Sequence, residues 1–231
     1  MEDHLVRAIE LPQSRSELVY QAIVDEICEG RLPAGDRLVQ EQLAMRLGVS
    51  RQPVQQAMAR LEADGLAEKT GRRGLCVATL DLDRMRQHYD LRAVLDGLAA
   101  ASAARIAAKN PDRAVIFRAE GDACLALADR AATEGSIRAR IHADETFHKT
   151  IYGFSGNPLI ERSAEPHWLY LRRAMSDVLR HAGYSVTIGE EHAAILDAVC
   201  AGNEEEASGR AIGHVQRACE LLVSAFGDKS A

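Results

Sequence analysis

Residues 43–61 read LAMRLGVSRQPVQQAMARL, and this stretch predicts two short helices joined by a tight turn. Gly48 ends the first helix, because glycine adopts a positive φ at little cost. Ser50 is placed to cap the second helix with its hydroxyl, and Pro53 falls in the first turn, where its missing N–H is not needed. Apolar residues at helical spacing give the two helices a common inner face, made of Leu43, Ala44, Leu47, Val54, Ala57, Met58 and Leu61.

The second of these helices presents polar side chains near its N-terminal end. Arg51, Gln52, Gln55 and Gln56 fall on its outward face. Arginine can form two hydrogen bonds with guanine, and glutamine can do the same with adenine, so this surface suits the major groove of DNA. An ordinary helical hairpin with a solvated polar face would carry similar residues, and residues 43–61 alone leave both interpretations open.

A predicted β-hairpin follows the helix pair. Residues 66–69 and 74–78 have the character of short strands, and the sequence TGRRG between them forms a basic tip. A further helix is predicted from Ser14, so three helices precede the hairpin, which is the order of a winged helix-turn-helix. The tip residues Gly71, Arg72 and Arg73 suit the phosphate backbone or the minor groove. The hairpin therefore favours DNA binding over a plain helical hairpin.

Composition bounds the remaining possibilities. The chain has 231 residues, room for two modest domains, and its 47% hydrophobic and 4% aromatic content favours packed helices. The net charge of −6 excludes a globally basic nucleic-acid coat protein, yet residues 31–78 carry eight basic and five acidic side chains. Five scattered cysteines without CxxC spacing favour a reducing compartment. No signal peptide or membrane span is predicted, so we expect a soluble protein of the cytoplasm.

Three motifs of the first half resemble a known family. LPAGDRL at 32–38, LAMRLGVSRQPV at 43–54 and RLEADGL at 60–66 are similar to the N-terminal domain of GntR-family transcription regulators. The sequence departs from the family at Gln55 and Gln56, where Arg-Glu is usual. Arg51 then becomes the main charged reader, and phosphate contacts depend more on Arg37, Arg72 and Arg73. The resemblance implies DNA contacts from Arg37, Ser50, Arg51, Gln52, Gln55, Gly71, Arg72 and Arg73.

Residues 79–231 show helical periodicity without a strand pattern, and they predict an antiparallel bundle of six to seven helices. The expected fold class is therefore mostly α. We expect a winged helix-turn-helix domain at 1–78, in which residues 1–12 form a flexible arm, and an all-helical effector-binding and dimerisation domain at 79–231.

Four polar residues share the inward stripes of this bundle. Asp144 and His148 lie four residues apart on one predicted helix, and His192 and His214 lie on the apolar stripes of two others. Burial of such groups is costly unless partners satisfy them, and a divalent transition metal would satisfy all four. The set suits zinc first, with nickel, manganese or iron as alternatives. A metal-free core with hydrogen-bonded polar residues stays an open alternative.

The same region resembles the FCD domain of the FadR-like GntR branch. The resemblance is carried by DETFH at 144–148, SGNPLI at 155–160, EEHAAILDAV at 190–199 and HV at 214–215. It implies a metal bound by Asp144, His148, His192 and His214, with a small organic acid completing the coordination. We therefore expect a homodimeric regulator that binds operator DNA, a repressor rather than an activator, with no membrane partner.

An arginine near the start of this domain is the candidate effector ligand. YDLRAVLD at 89–96 also resembles the FCD domain, and Arg92 lies on the inward stripe. It can bind the effector's carboxylate, bridge to Asp96, or contact a dimer partner. Either Arg172 or Arg173 can line the pocket, although both are expected to be surface or interface charges. No nucleophile elbow, P-loop or dinucleotide motif is present, so a metal-dependent enzyme fused to a DNA-binding domain is the less favoured alternative.

Overall fold

The computed structural model describes residues 14–71, 74–182 and 187–227. The chain divides into two units, Met1–Thr79 and Leu80–Ala231. Helices dominate both units, and the described strands form a single two-stranded sheet in the first. The prediction of a mostly α chain with a small β wing is confirmed.

The first unit has the element order of a winged helix-turn-helix. Its elements are α1 (Arg15–Cys28), α2 (Gln40–Leu47), α3 (Arg51–Ala63), β1 (Ala67–Thr70) and β2 (Gly74–Val77). The strands are antiparallel, with Ala67 opposite Val77 and Thr70 opposite Gly74. The core of the unit includes Val19, Ile23, Val54, Ala57, Leu61, Leu66 and Val77, all buried. The predicted arm at 1–12 and the tip residues Arg72 and Arg73 lie outside the described residues.

The helix pair follows the sequence prediction except at Leu47 and Ser50. Leu47, expected on the inner face, lies in the last turn of α2 and is 36% exposed, so that expectation was wrong. Gly48 ends α2 in the left-handed region, with φ at 64°. Ser50 occupies the N-cap position of α3, but its hydroxyl makes no capping hydrogen bond, so that expectation was wrong. A capping side chain accepts from the second or third helical N–H, and Pro53 in the third position has none.

The second unit is a bundle of six described helices, in agreement with the predicted six to seven. They are α4 (Leu82–Lys109), α5 (Pro111–Glu134), α6 (Ile137–Phe154), α7 (Pro158–Ala182), α8 (Thr187–Cys200) and α9 (Glu204–Gly227). The long helix α4 contacts every other helix of the bundle. The C-terminal half of its buried face is built from small residues, which allow close helix packing: Ala99, Ala100, Ala103, Ala104 and Ala107.

Short connections join consecutive helices of the bundle. Asn110 caps the start of α5, where its Oδ1 accepts from the amides of Asp112 and Arg113 at 3.1 and 3.3 Å. Gly202 turns the chain between α8 and α9 with φ at 74°. A Cβ on Gly202 would lie 2.7 Å from the Cβ of Ala108, so this turn packs directly against the end of α4. Within the described part of the chain, every helix lacks the length or the apolar character needed to cross a bilayer.

The turn at Gly202 yields a stability prediction. Gly202→Ala places a methyl group against Ala108 and also requires a positive φ, whereas Gly135→Ala requires the positive φ (72°) in open space. We expect Gly202→Ala to lower the free energy of unfolding by about 1–3 kcal/mol more than Gly135→Ala, because only the former adds a clash. Urea unfolding followed by the fluorescence of Trp168, the single tryptophan, measures both variants. Equal losses would show that the contact with Ala108 is unimportant.

Candidate metal centre and DNA-reading helix

The bundle brings the four predicted ligands together. Asp144 and His148 come from α6, His192 from α8 and His214 from α9. One donor atom from each residue lies within 4.8 Å of the others. The three histidines are almost completely buried, and the Asp144 side chain is 16% exposed. Three elements distant in sequence therefore present nitrogen and oxygen atoms to one small volume.

The separations between donor atoms suit a shared cation. Nε2 of His192 lies 3.2 Å from Nε2 of His214 and 3.5 Å from Oδ1 of Asp144. Nε2 of His148 is 3.8 Å from the same carboxylate oxygen. Phe147 fixes one ring of the set, because it stacks on His192 with 4.1 Å between ring centroids. The Nε2 atoms of all three histidines thus belong to the cluster.

Two carboxylates orient two of these rings from behind. Asp96 lies 3.0 Å from Nδ1 of His148 through its Oδ2. Glu191 lies 2.7 Å from Nδ1 of His214 through its Oε2. A carboxylate that accepts from Nδ1–H leaves the Nε2 lone pair directed at the cluster, which is the usual arrangement behind metal-binding histidines.

Asp96 is the central buried acid of the bundle. It accepts a hydrogen bond from Arg92 Nε at 3.3 Å and another from the hydroxyl of Tyr152. Burial raises the pKa of Asp96, and the adjacent Arg92 charge opposes that rise. Burial likewise raises the pKa of Tyr152, so this hydroxyl stays protonated and donates. Asp96 thereby joins α4 to two residues of α6.

Arg92 takes the inward position that the sequence indicated. It is 2% exposed and bridges to Asp96 one turn along α4, which is one of the three alternatives. Its guanidinium lies 4.2 Å above the ring of Trp168. Its Nη2 makes no hydrogen bond with the described residues and is 3.6 Å from Oδ2 of Asp144. Arg92 therefore also borders the cluster.

Burial favours the neutral imidazole at His148 and His192. Burial lowers the pKa of His148 well below its ordinary value, and the positive charge of Arg92 adds to the effect. Burial also lowers the pKa of His192, with His214 as the next cause. A neutral ring offers the lone pair that a metal requires.

The cluster passes a chemical test for a transition metal. Nε2 of His148 and Oδ2 of Asp144 are buried and make no hydrogen bond within the described chain. Such atoms carry a desolvation cost, which a cation would remove. Three imidazole nitrogens and one carboxylate oxygen form a donor set suited to zinc and its neighbours.

The sequence interpretation missed other buried groups around this centre. Arg173 is 2% exposed, so its assignment to the surface or an interface was wrong. It lies three residues after the buried Tyr170 and three before the buried Ser176 on α7, and this helical spacing was the available signal. Arg172 is partly exposed and pairs with Glu145, with 3.0 Å between its Nε and Oε2.

The helix α3 displays its predicted polar side chains to solvent. Arg51, Gln52 and Gln55 are exposed, as are Ser50 before the helix and the described wing residue Gly71. Arg37 is also exposed, and its backbone bridges to Cys76 of β2. The guanidinium of Arg51 forms an ion pair with Glu41 of α2, and its carbonyl accepts from Gln40 Nε2 at 2.8 Å.

Comparison with known proteins identifies the domain family of each unit. The first unit is a winged helix-turn-helix of the DNA-binding class, and the second is an all-helical domain. The model of gntR-family bacterial regulatory proteins matches residues 15–77, and the model of the FCD domain matches residues 87–217. The chain therefore belongs to the GntR family, in the branch that carries an FCD domain. It is a DNA-binding transcription regulator and not an enzyme.

The relatives of the chain bear regulator names. An uncharacterized HTH-type transcriptional regulator from the TAR-I region of Agrobacterium vitis is 32% identical over 137 residues, which is 59% of this chain and 78% of the relative. The "Probable D-xylose utilization operon transcriptional repressor" of Paenarthrobacter nicotinovorans is 30% identical, covering 84% of this chain and 82% of that protein. YdhC of Bacillus subtilis is 27% identical across 88% of both chains.

Solved structures share the fold. McbR/YncC of E. coli superimposes with a TM-score of 0.73 and 21% identity, over 93% of this chain and all of the other. A GntR regulator from Rhodococcus sp. RHA1 gives a TM-score of 0.74 and 22% identity, over 92% of this chain and 99% of the other. At these identities the likeness shows the fold alone.

The buried pair of Arg92 and Asp96 yields a second stability prediction. Among the described residues, Asp96→Asn leaves Asp144 as the acidic partner of the Arg92 guanidinium, and we expect a loss of about 3 kcal/mol in unfolding free energy for chelator-treated protein. Asp197→Asn is the control, because Asp197 is 68% exposed in its pair with Arg118 and should lose less than about 1 kcal/mol. Trp168 fluorescence in urea reports both, and equal losses would contradict a central role for Asp96.

Proposed function

We propose that this regulator is a homodimeric repressor of the cytoplasm that senses a small organic acid through a bound divalent metal. The metal ligands are Asp144, His148, His192 and His214. The observation that carries the proposal is the convergence of these four donors, each from an inward face, in a bundle attached to a DNA-binding unit. The DNA contacts are Arg37, Ser50, Arg51, Gln52, Gln55, Gly71, Arg72 and Arg73.

The choice of metal follows from the donor set and from the need to bind an effector. Three nitrogens and one oxygen complete a tetrahedral zinc site, and zinc can expand to a fifth ligand. Nickel, manganese and iron commonly accept further oxygen ligands. A metal at this position would hold the effector's carboxylate beside the Arg92 guanidinium, whose Nη2 has no hydrogen-bond acceptor among the described residues. Arg92 is accordingly the proposed effector ligand.

An exposed apolar stripe supports the proposed dimer. Leu91, Val94 and Leu98 lie three to four residues apart on α4 and are 53%, 67% and 50% exposed. Residues at this spacing share one helix face, and a large apolar face in water favours association with a second copy. Two copies supply two α3 helices, which matches a two-fold symmetric operator. The name of the Paenarthrobacter relative supports repression over activation.

Removal of one histidine tests the metal. We expect His148→Ala to lose most of the metal that copurifies with the wild-type chain, because the substitution removes one of the four proposed donors. His142→Ala is the control, since His142 lies on the same helix and is exposed. Elemental analysis of protein purified without added metal measures the content. A His148→Ala protein with wild-type metal content would contradict the ligand assignment.

The effector follows from a thermal-shift screen on the same proteins. Small carboxylates are added with and without zinc, nickel or manganese, and a ligand that prefers the folded state raises the melting midpoint. The proposal expects a shift that needs both metal and acid and that His148→Ala abolishes. Shifts that are identical without metal would favour the metal-free alternative.

Two arginine substitutions test the DNA contacts, on an operator obtained by selection from random duplexes. Arg51→Ala should weaken operator binding by about 1–3 kcal/mol and relax the preference at one base pair, because Arg51 is the proposed base reader. Arg72→Ala should weaken operator and random DNA alike and reduce the salt slope by about one, because it is assigned to phosphate. Fluorescence anisotropy at several salt concentrations measures both. Equal losses with unchanged slopes would refute this division.

A further inference from the structure

The two carboxylates behind the cluster differ in their access to solvent. Asp96, behind His148, is 2% exposed and is held by Arg92 and Tyr152 inside the bundle. Glu191, behind His214, is 21% exposed. One side of the cluster is therefore sealed within the core, and the other lies close to the surface.

Glu191 is held from the solvent side by an arginine of α9. Nε of Arg217 donates to Oε1 of Glu191 at 2.6 Å, while Oε2 of the same carboxylate faces Nδ1 of His214 at 2.7 Å. The Arg217 side chain is 52% exposed. Its guanidinium folds back over Gly213, where a Cβ would lie 3.0 Å from Nη1. The glycine next to His214 thus provides the space that this arrangement needs.

A surface cleft gives solvent access to this pair. The cleft lies between α8 and α9, has a volume of about 490 Å³, and is lined by both Glu191 and Arg217. Ile188 and Leu221 contribute apolar walls. Glu191 lines this cleft, and its Oε2 faces Nδ1 of His214, a cluster ligand.

We infer that Glu191 and Arg217 form a latch that holds His214 in its metal-binding orientation and controls exchange of the metal through the α8–α9 cleft. The inference rests on the proposed metal site. Glu191 and Arg217 are positioning residues, since they act on the metal through His214. When the latch opens, the imidazole of His214 can rotate, and the cluster loses a ligand whose supporting carboxylate is partly exposed to water.

Arg217 has two opposing effects on metal binding at the cluster. Its positive charge repels a nearby dication, which by itself would weaken metal binding. That repulsion is small, because Arg217 is half exposed and its charge is balanced by Glu191. Orientation of a ligating histidine by a carboxylate is worth about 10–100-fold in metal affinity. The positioning effect therefore exceeds the repulsion.

The test compares zinc release from four variants that differ in one side chain each. Glu191→Gln and Arg217→Gln open the latch. Glu206→Gln and Arg210→Gln are the matched controls, because these two residues form an ion pair within α9, with Arg210 Nε 2.8 Å from Glu206 Oε1. Zinc-loaded protein is mixed with excess coloured chelator, and the release rate is recorded. We expect Glu191→Gln to release zinc about 10–100-fold faster and Arg217→Gln about 10-fold faster. The controls should stay within about 2-fold of wild type, since an exposed ion pair contributes little.

Further measurements separate the latch from a general loss of structure. Urea midpoints of the metal-free latch variants should match those of the controls, and Arg217→Lys, which keeps the charge, should recover part of the slow release. Release rates equal to the controls, with wild type still retaining zinc, would overturn the latch and leave the metal proposal standing. A wild-type chain that retains no zinc, nickel, manganese or iron would overturn both.

Discussion

The helical unit depends on the hydrogen bonds and the ion pair that the buried carboxylate of Asp96 makes. This carboxylate accepts from Arg92 on its own helix and from Tyr152 on α6, and it lies behind the imidazole of His148. A single acid therefore neutralises the buried arginine, fixes α4 against α6, and directs one ring toward the cluster. Burial of a charge is tolerated only when such partners surround it, so these positions constrain one another.

Much of this architecture could be predicted from local patterns. The four-residue spacing of Asp144 and His148 predicts that both lie on one helix face. The apolar residues at helical spacing from His192 and His214 predict that both point into the core. The carboxylates behind the rings could not be found in that way. Asp96 and His148 are far apart in sequence, and only the packing of α4 against α6 makes them neighbours. Arg173 was misassigned because its charge was given more weight than its helical spacing from the buried Tyr170 and Ser176.

The DNA-binding unit shows a similar division between local and long-range information. The helix pair could be predicted from local signals: Gly48 can adopt the positive φ that ends α2, and the apolar residues of α3 have helical spacing. Ser50 does not cap α3 as expected, and one reason is that Pro53, at the third helical position, has no N–H to donate to its hydroxyl. The ion pair between Arg51 and Glu41 was not anticipated, since it joins two helices across the turn. A base contact by Arg51 must compete with that carboxylate.

The spread of the four cluster residues along the chain has a thermodynamic consequence. His192 and His214 are 22 positions apart, and α6 supplies the remaining donors from still further away. A metal bound there would join segments far apart in sequence, and it would stabilise the folded unit because the unfolded chain does not hold the four donors together. Folding of the helical unit would then be linked to the free metal concentration of the cell. Metal supply and effector would act on the same equilibrium, so the regulator would integrate both.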